Sequence, residues 1–144
     1  HSNTKEEEEI LELIRANHDE LPVKPCIAAA SQKLIDLYAD ENLKKGITIT
    51  ATGFYGPQGR VLRLKPTINN LIEELSSLKF PNTRCTNLEM ETASIYGLGK
   101  LLGHHCLSVN AILANRQTME FSAKPQEIVE KAIKMSLEKL CSIP

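Results

Sequence analysis

The chain has 144 residues, 42% hydrophobic and 24% charged, a one-domain length with a globular composition that excludes intrinsic disorder for most of it. Its 17 Lys and Arg stand against 18 Asp and Glu, and a net charge of -1 gives no basic footprint for nucleic acid or an anionic membrane. No run approaches the ~18 consecutive apolar residues of a membrane helix, and the acidic start is unlike a secretory signal, so a soluble cytoplasmic protein is expected.

Thr4 followed by Glu7 fits a capping box, and Ile10, Leu13 and Ile14 recur at helical spacing, which predicts a first helix to about Asn17. The acidic run Glu6 to Glu9 complements the helix dipole and reads as a solvated face. Leu21-Pro22-Val23-Lys24-Pro25 carries two prolines, which exclude a helix interior. Residues 1–24 are therefore expected to be an acidic helix and linker ahead of a domain over 25–144. The opening His1-Ser2-Asn3, without an initiator Met, fits a tag remnant or a piece cut from something longer.

From Ser31 to about Leu43, Leu34, Leu37, Tyr38 and Leu43 form a helical stripe, with Lys44-Lys45-Gly46 as its C-cap. Ile47 to Thr52 is β-branched and bounded by Gly46 and Gly53, so it reads as a strand, and Gly53 to Arg60 as the loop leaving it. A helix opening at Pro66-Thr67 puts Ile68, Leu71, Ile72, Leu75 and Leu78 on one face, and Phe80-Pro81-Asn82 breaks it. A short stretch from Cys85 to Leu88 leads into Glu89-Met90-Glu91. Thr92 to Leu102 is helical in period, with small residues Ala93, Ser94, Gly97 and Gly99 for close packing.

His105 to Ala114 is almost wholly apolar and predicts a buried central strand, left through a loop at Asn115-Arg116-Gln117. A last helix, about Pro125 to Leu140, would bury Ile128, Val129, Ala132, Ile133, Leu137 and Leu140. The alternation predicts an α/β fold, a mixed sheet flanked by helices on both faces. Two long strands make a thin sheet where open α/β sheets carry about five or six, so the piece looks incomplete by itself. Exposed edges and apolar surface would then drive association. The dispersed Cys26, Cys85, Cys106 and Cys141 form no CxxC pair and read as reduced core residues.

Several motifs fail on inspection. Gly97-Leu98-Gly99 lies inside a helix pattern, and Gly103 is one residue late for a dinucleotide fingerprint. Gly56-Pro57-Gln58-Gly59-Arg60 lacks the Lys-Ser/Thr of a P-loop. His104-His105 has no partner at metal spacing, and neighbours on a strand face opposite ways, one exposed and one in the core. No metal is expected.

Two segments carry more. The loop Gly53 to Arg60 puts two aromatics, an amide and a guanidinium at the end of a strand, where open α/β sheets bind ligands. An aromatic ring can stack on a planar ligand, Gln58 offers a donor and an acceptor, and Arg60 offers a fork of donors. The plainer account is a surface turn whose glycines serve geometry. In Glu89-Met90-Glu91 a carboxylate would accept hydrogen bonds from vicinal sugar hydroxyls while Met90 packs on the apolar sugar face. Here the plainer account is helix capping. A glycosidase pair is disfavoured, because that chemistry wants carboxylates flanking the bond from opposite sides.

At these residues the sequence resembles the nucleoside phosphorylases of the uridine phosphorylase type. Thr52-Gly53-Phe54-Tyr55-Gly56-Pro57-Gln58-Gly59-Arg60 looks like that family's pyrimidine-reading segment. Asn87-Leu88-Glu89-Met90-Glu91-Thr92-Ala93 looks like its ribose signature, and Ile112-Leu113-Ala114-Asn115-Arg116 like its base-pocket strand end. The likeness runs from about Pro25 to Leu140. It implies a nucleoside phosphorylase-like αβα sandwich. Phe54 would pack against base and ribose, Gln58 and Arg60 would hydrogen-bond uracil, and Met90 and Glu91 would hold the ribose. Glu89 would shape that site, and Leu113 and Ala114 would line its apolar wall, with Asn115-Arg116 closing the loop behind. Gln58, Arg60 and Glu91 would act in catalysis. Purine-cleaving relatives place an aspartate near Asn115, so the asparagine favours pyrimidines.

The implied reaction is the reversible phosphorolysis of uridine to uracil and ribose 1-phosphate, part of pyrimidine nucleoside salvage. It needs inorganic phosphate as co-substrate and no organic cofactor. The family's phosphate site, a Gly-rich loop with arginines and a threonine, belongs to an N-terminal half with no counterpart in these 144 residues. The chain is thus expected to be a C-terminal half, inactive alone, whose partners are uridine, phosphate, the N-terminal half and further copies in a homo-oligomer. The alternatives are a nucleoside-binding module without turnover and a nucleosidase.

Overall fold

The computed structural model describes residues 4–17, 25–40, 42–66, 68–78, 80 and 83–143. The opening His1 to Asn3, the predicted linker from Leu21 to Lys24, the helix start at Thr67 and the breaker Pro81-Asn82 lie outside the described residues. So do the side chains of Leu13 and Ile14. Two compact units form, one from residues 1–29 and 45–98, the other from 30–44 and 99–144.

In the first unit the capping box is made: the Thr4 amide donates to Glu7 Oε2 at 2.7 Å and the Glu7 amide to Thr4 Oγ1 at 3.2 Å. Two orphan amides are thereby satisfied at the start of α1, Lys5–Asn17, which buries Leu11. β1, Ile47–Thr50, and β2, Cys85–Glu89, pair in parallel, with Thr48 opposite Asn87, Ile49 opposite Leu88 and Thr50 opposite Glu89. Because side chains alternate along a strand, the threonines share one face with Asn87 and Glu89. The Thr48 hydroxyl donates to Asn87 Oδ1 at 2.8 Å on that face. Ala51, Leu78 and Phe80 are also buried in this unit.

α3, Leu71–Ser77, starts later than the sequence pattern predicts. Asn70 sits in the left-handed region with φ 59°, a conformation asparagine tolerates because its short amide bonds locally, and no helix continues through it. The apolar face is nevertheless used, since Ile68, Leu71, Ile72 and Leu75 are half-buried and Leu78 buried. α4, Thr92–Leu101, follows β2 almost directly and carries the chain from the first unit into the second.

The second unit contains α2, Gln32–Leu37, the short antiparallel ladder of β3, Ala114–Asn115, with β4, Glu120–Phe121, and α5, Pro125–Cys141. α2 stops at Leu37, short of the predicted Leu43, and Tyr38 rather than Lys44-Lys45-Gly46 ends it. The Tyr38 hydroxyl instead donates to the Ser136 carbonyl of α5 at 3.2 Å. Gly99 is buried close to Cys106, and a Cβ there would run into Cys106 Sγ.

Four expectations are corrected here. The apolar run from His105 is irregular over 104–113, and only its end, at Ala114, enters a ladder. A strand exists only where a neighbour accepts its backbone, and among the described residues the bonds of this run are scattered, such as Ser31 N–H to Cys106 O and Ser122 N–H to Leu113 O. On α5, Ile128 and Ala132 are half-buried, but Val129, Ile133, Leu137 and Leu140 are exposed, because no described element of this unit covers that side. Both His104 and His105 are exposed, with His105 Nδ1 bonded to Ser31 Oγ at 2.8 Å, and Cys26 and Cys141 are exposed free thiols. Only Cys85 and Cys106 are half-buried, and burial pushes the Cys85 thiol up from its ordinary value. Among the described residues no helix is long and apolar enough to cross a membrane.

The candidate nucleoside site

The parallel register decides which loops are neighbours. Thr50 is opposite Glu89, and the Ala51 amide extends the ladder by donating to the Glu89 carbonyl at 2.8 Å. The segment Gly53 to Arg60 therefore leaves β1 beside the place where Glu89-Met90-Glu91 leaves β2. Both emerge at the carboxyl edge of a parallel pair, the position where α/β sheets hold ligands.

The first loop closes on itself. Gly56–Gln58 makes one 3₁₀ turn with Pro57 near its start, and the Tyr55 carbonyl accepts from the Gln58 amide at 3.1 Å and the Arg60 amide at 3.0 Å. Gly59 ends the turn at φ 70°, where a side chain would be strained and would press on Leu71. The closure carries Arg60 back over Phe54, with its guanidinium carbon 3.8 Å from the ring centroid. Arg60 Nη1 donates to the Phe54 carbonyl and, at 2.7 Å, to Gln58 Oε1. Gln58 is only 5% exposed, so this bond orients an otherwise buried amide. Phe54 is 50% exposed and meets Tyr55 edge to face at 5.2 Å.

The second loop is held by Glu89. Its Oε2 accepts from the amides of Glu91 and Thr92, each at 2.7 Å, and its Oε1 from the Thr50 hydroxyl at 2.5 Å. Burial pushes the Glu89 carboxyl up, but the bonds from Thr50, the two amides and the Thr92 hydroxyl outweigh it and hold the carboxyl below its ordinary value. The same Thr50 oxygen accepts from the Ala93 amide at 3.0 Å. Glu91 immediately precedes α4, its carbonyl accepting from Ile95 at 3.1 Å, and its carboxylate is exposed beside Met90, itself 40% exposed.

The structure thus brings Phe54, Gln58 and Arg60 together on one loop, next to Glu89, Met90 and Glu91 on another. Leu113, half-buried, and Ala114, exposed, lie in the second unit with Asn115, whose Oδ1 accepts from the Gln117 and Thr118 amides at 2.9 and 3.3 Å. Thr50 was not among the residues singled out from the sequence. It reads there as one more β-branched strand residue, and only the pairing with Glu89 reveals it. Among the described residues no group of three or more His, Cys, Asp or Glu stands where it would hold a metal ion.

The model of the phosphorylase superfamily matches residues 5–143. A uridine phosphorylase of Thermococcus kodakarensis is 32% identical, across 65% of this chain and 34% of its own length. The crystal structure of a Trypanosoma brucei nucleoside phosphorylase, described as showing uridine phosphorylase activity, is 28% identical with a TM-score of 0.84, covering 99% of this chain and 51% of that one. The chain spans about half the length of the solved relative and about a third of the curated one.

Proposed function

The chain belongs to the phosphorylase superfamily, and on that premise we propose that it supplies the base and ribose side of a uridine phosphorylase. One observation carries the reading: the Thr50–Glu89 register sets the Phe54, Gln58 and Arg60 loop beside Met90 and Glu91. Phe54 gives a half-exposed aromatic face for a planar base. Among the described residues the bonds of Arg60 within the loop are made by Nη1, and Nη2 and Nε are the donors offered to a base carbonyl. Glu91 accepts from ribose hydroxyls and Met90 covers the apolar side of the sugar.

In the reaction, a phosphate oxygen bonds to the anomeric carbon as the glycosidic bond breaks, and the bond's electron pair leaves with the base nitrogen. Positive charge builds on the ribose and negative charge on uracil. Donors fixed before the reaction, on Arg60 and Gln58, stabilise that anion without reorganising. Glu91 holds the ribose for in-line attack. Inorganic phosphate is the co-substrate.

The phosphate grip comes from polypeptide outside these 144 residues, a division supported by the 51% span of the solved relative. Exposed apolar residues such as Ile95, Leu98 and Leu101 on α4 favour association with such a partner and with further copies. The test is uracil release from uridine, with and without phosphate, by the purified chain alone and then with the complementary half of a phosphorylase. The expected result is weak uridine binding and no turnover alone, with turnover on addition of the other half. Phosphate-dependent uracil release by the 144-residue chain alone would overturn the division. Uridine binding that never leads to turnover would favour a binding module.

A further inference from the structure

The amides that open α4 are satisfied from outside the helix. Those of Glu91 and Thr92 donate to Glu89 Oε2, at the end of β2, and that of Ala93 donates to Thr50 Oγ1, at the end of β1. Thr50 in turn donates its own proton to Glu89 Oε1. One hydroxyl therefore joins three elements: it fixes the carboxylate that turns the chain at Met90 and anchors the first turn of the helix that follows Glu91. Both Glu89 oxygens are committed to the protein, so the exposed carboxylate of the segment is that of Glu91.

We propose that Thr50 is a positioning residue for nucleoside binding, acting through Glu89 and the Ala93 amide to set the direction of Met90 and Glu91. The proposal rests on the nucleoside reading of this site. A carboxylate that must meet two sugar hydroxyls at once tolerates little rotation of its backbone, and here that backbone is held by Glu89 Oε2, on a carboxylate that the Thr50 hydroxyl fixes in turn. Valine has the shape of threonine without the hydroxyl. Thr50→Val would leave the Ala93 amide unpaired and remove one donor from Glu89, while the β-branched shape that suits β1 persists.

The experiment is a titration of the purified chain with uridine up to millimolar concentration, followed by NMR at the amides of Phe54 and Glu91. It is run on the parent, Thr50→Val, Thr50→Ser and Glu89→Gln, with amide exchange at Glu91 and Ala93 measured in each. Thr50→Val is expected to bind uridine about tenfold more weakly, the scale of one lost hydrogen bond to a charged group, with faster exchange at both amides. Thr50→Ser, which restores the hydroxyl, is expected to bind within about twofold of the parent. A folded Thr50→Val with faster exchange and parent affinity would mean that Thr50 only caps the helix, and would overturn the proposal. Should that variant not fold, parent affinity in Glu89→Gln would overturn it as well. If the parent produces no uridine-dependent shifts, the nucleoside reading itself fails.

Discussion

Arg60 lies over the ring of Phe54, 3.8 Å from guanidinium carbon to ring centroid, while its Nη1 holds the carbonyl of that same residue and Gln58 Oε1. The aromatic platform, the amide and the cation of the loop are therefore one interlocked group rather than three independent side chains. Removing any member disturbs the other two, and this coupling shapes the first two predictions.

In a complete enzyme carrying this segment, Arg60→Ala is expected to lower kcat/KM for uridine by the equivalent of about 2–4 kcal/mol, the scale of a lost donor to a developing anion. Arg60→Lys is expected to rescue little, because an ammonium cannot both stack on Phe54 and present a planar fork. Steady-state kinetics decide the matter, and uridine cleavage at the parent rate in the alanine variant would remove Arg60 from the mechanism.

Phe54→Ala takes away the stacking face and the ring beneath the guanidinium. Its expected cost is about 1 kcal/mol in nucleoside affinity, from the lost aromatic contact and the freed arginine. The measurement is uridine affinity of Phe54→Ala beside that of Arg60→Ala and the double variant. Losses that simply add would show that the two side chains act independently.

The Glu89 carboxyl is held below its ordinary value in the folded chain, so folding favours its ionised form. The stability it contributes is present above the ordinary glutamate range, near pH 4, and is lost as pH falls through the lowered folded value. Thermal melts between pH 7 and pH 3 are expected to fall less steeply for Glu89→Gln than for the parent. Identical slopes would mean that the bonds from Thr50, Glu91 and Thr92 do not outweigh the burial of the charge.

Gly99→Ala is expected to destabilise the chain by about 1–3 kcal/mol, the usual cost of overpacking, because its Cβ meets Cys106 Sγ. Pairing it with Cys106→Ala vacates the space and is expected to recover much of the loss. Denaturant midpoints for the two single variants and the double variant test this, and no recovery in the double variant would place the strain elsewhere.

The sequence by itself determined what depends on a few neighbouring residues. Thr4 and Glu7 cap α1 as their spacing predicts, Pro125 opens α5, and Gly59 of the loop after β1 falls where a positive φ is needed. These are local matters, decided within one turn of chain by hydrogen bonds and sterics. The residues of the two candidate loops were also legible, because their chemistry is concentrated in short segments. Tertiary structure alone decided the rest. Apolarity predicted a strand over His105 to Ala114, yet hydropathy reports a wish for burial and says nothing of whether a neighbouring strand is there to accept the backbone. The same pattern placed Ile133 and Leu137 on one face of α5 without revealing that its own unit leaves that face uncovered. Thr50 acquires its meaning from Glu89, 39 residues away, because only the parallel register brings its hydroxyl within reach of the carboxylate and the first turn of α4.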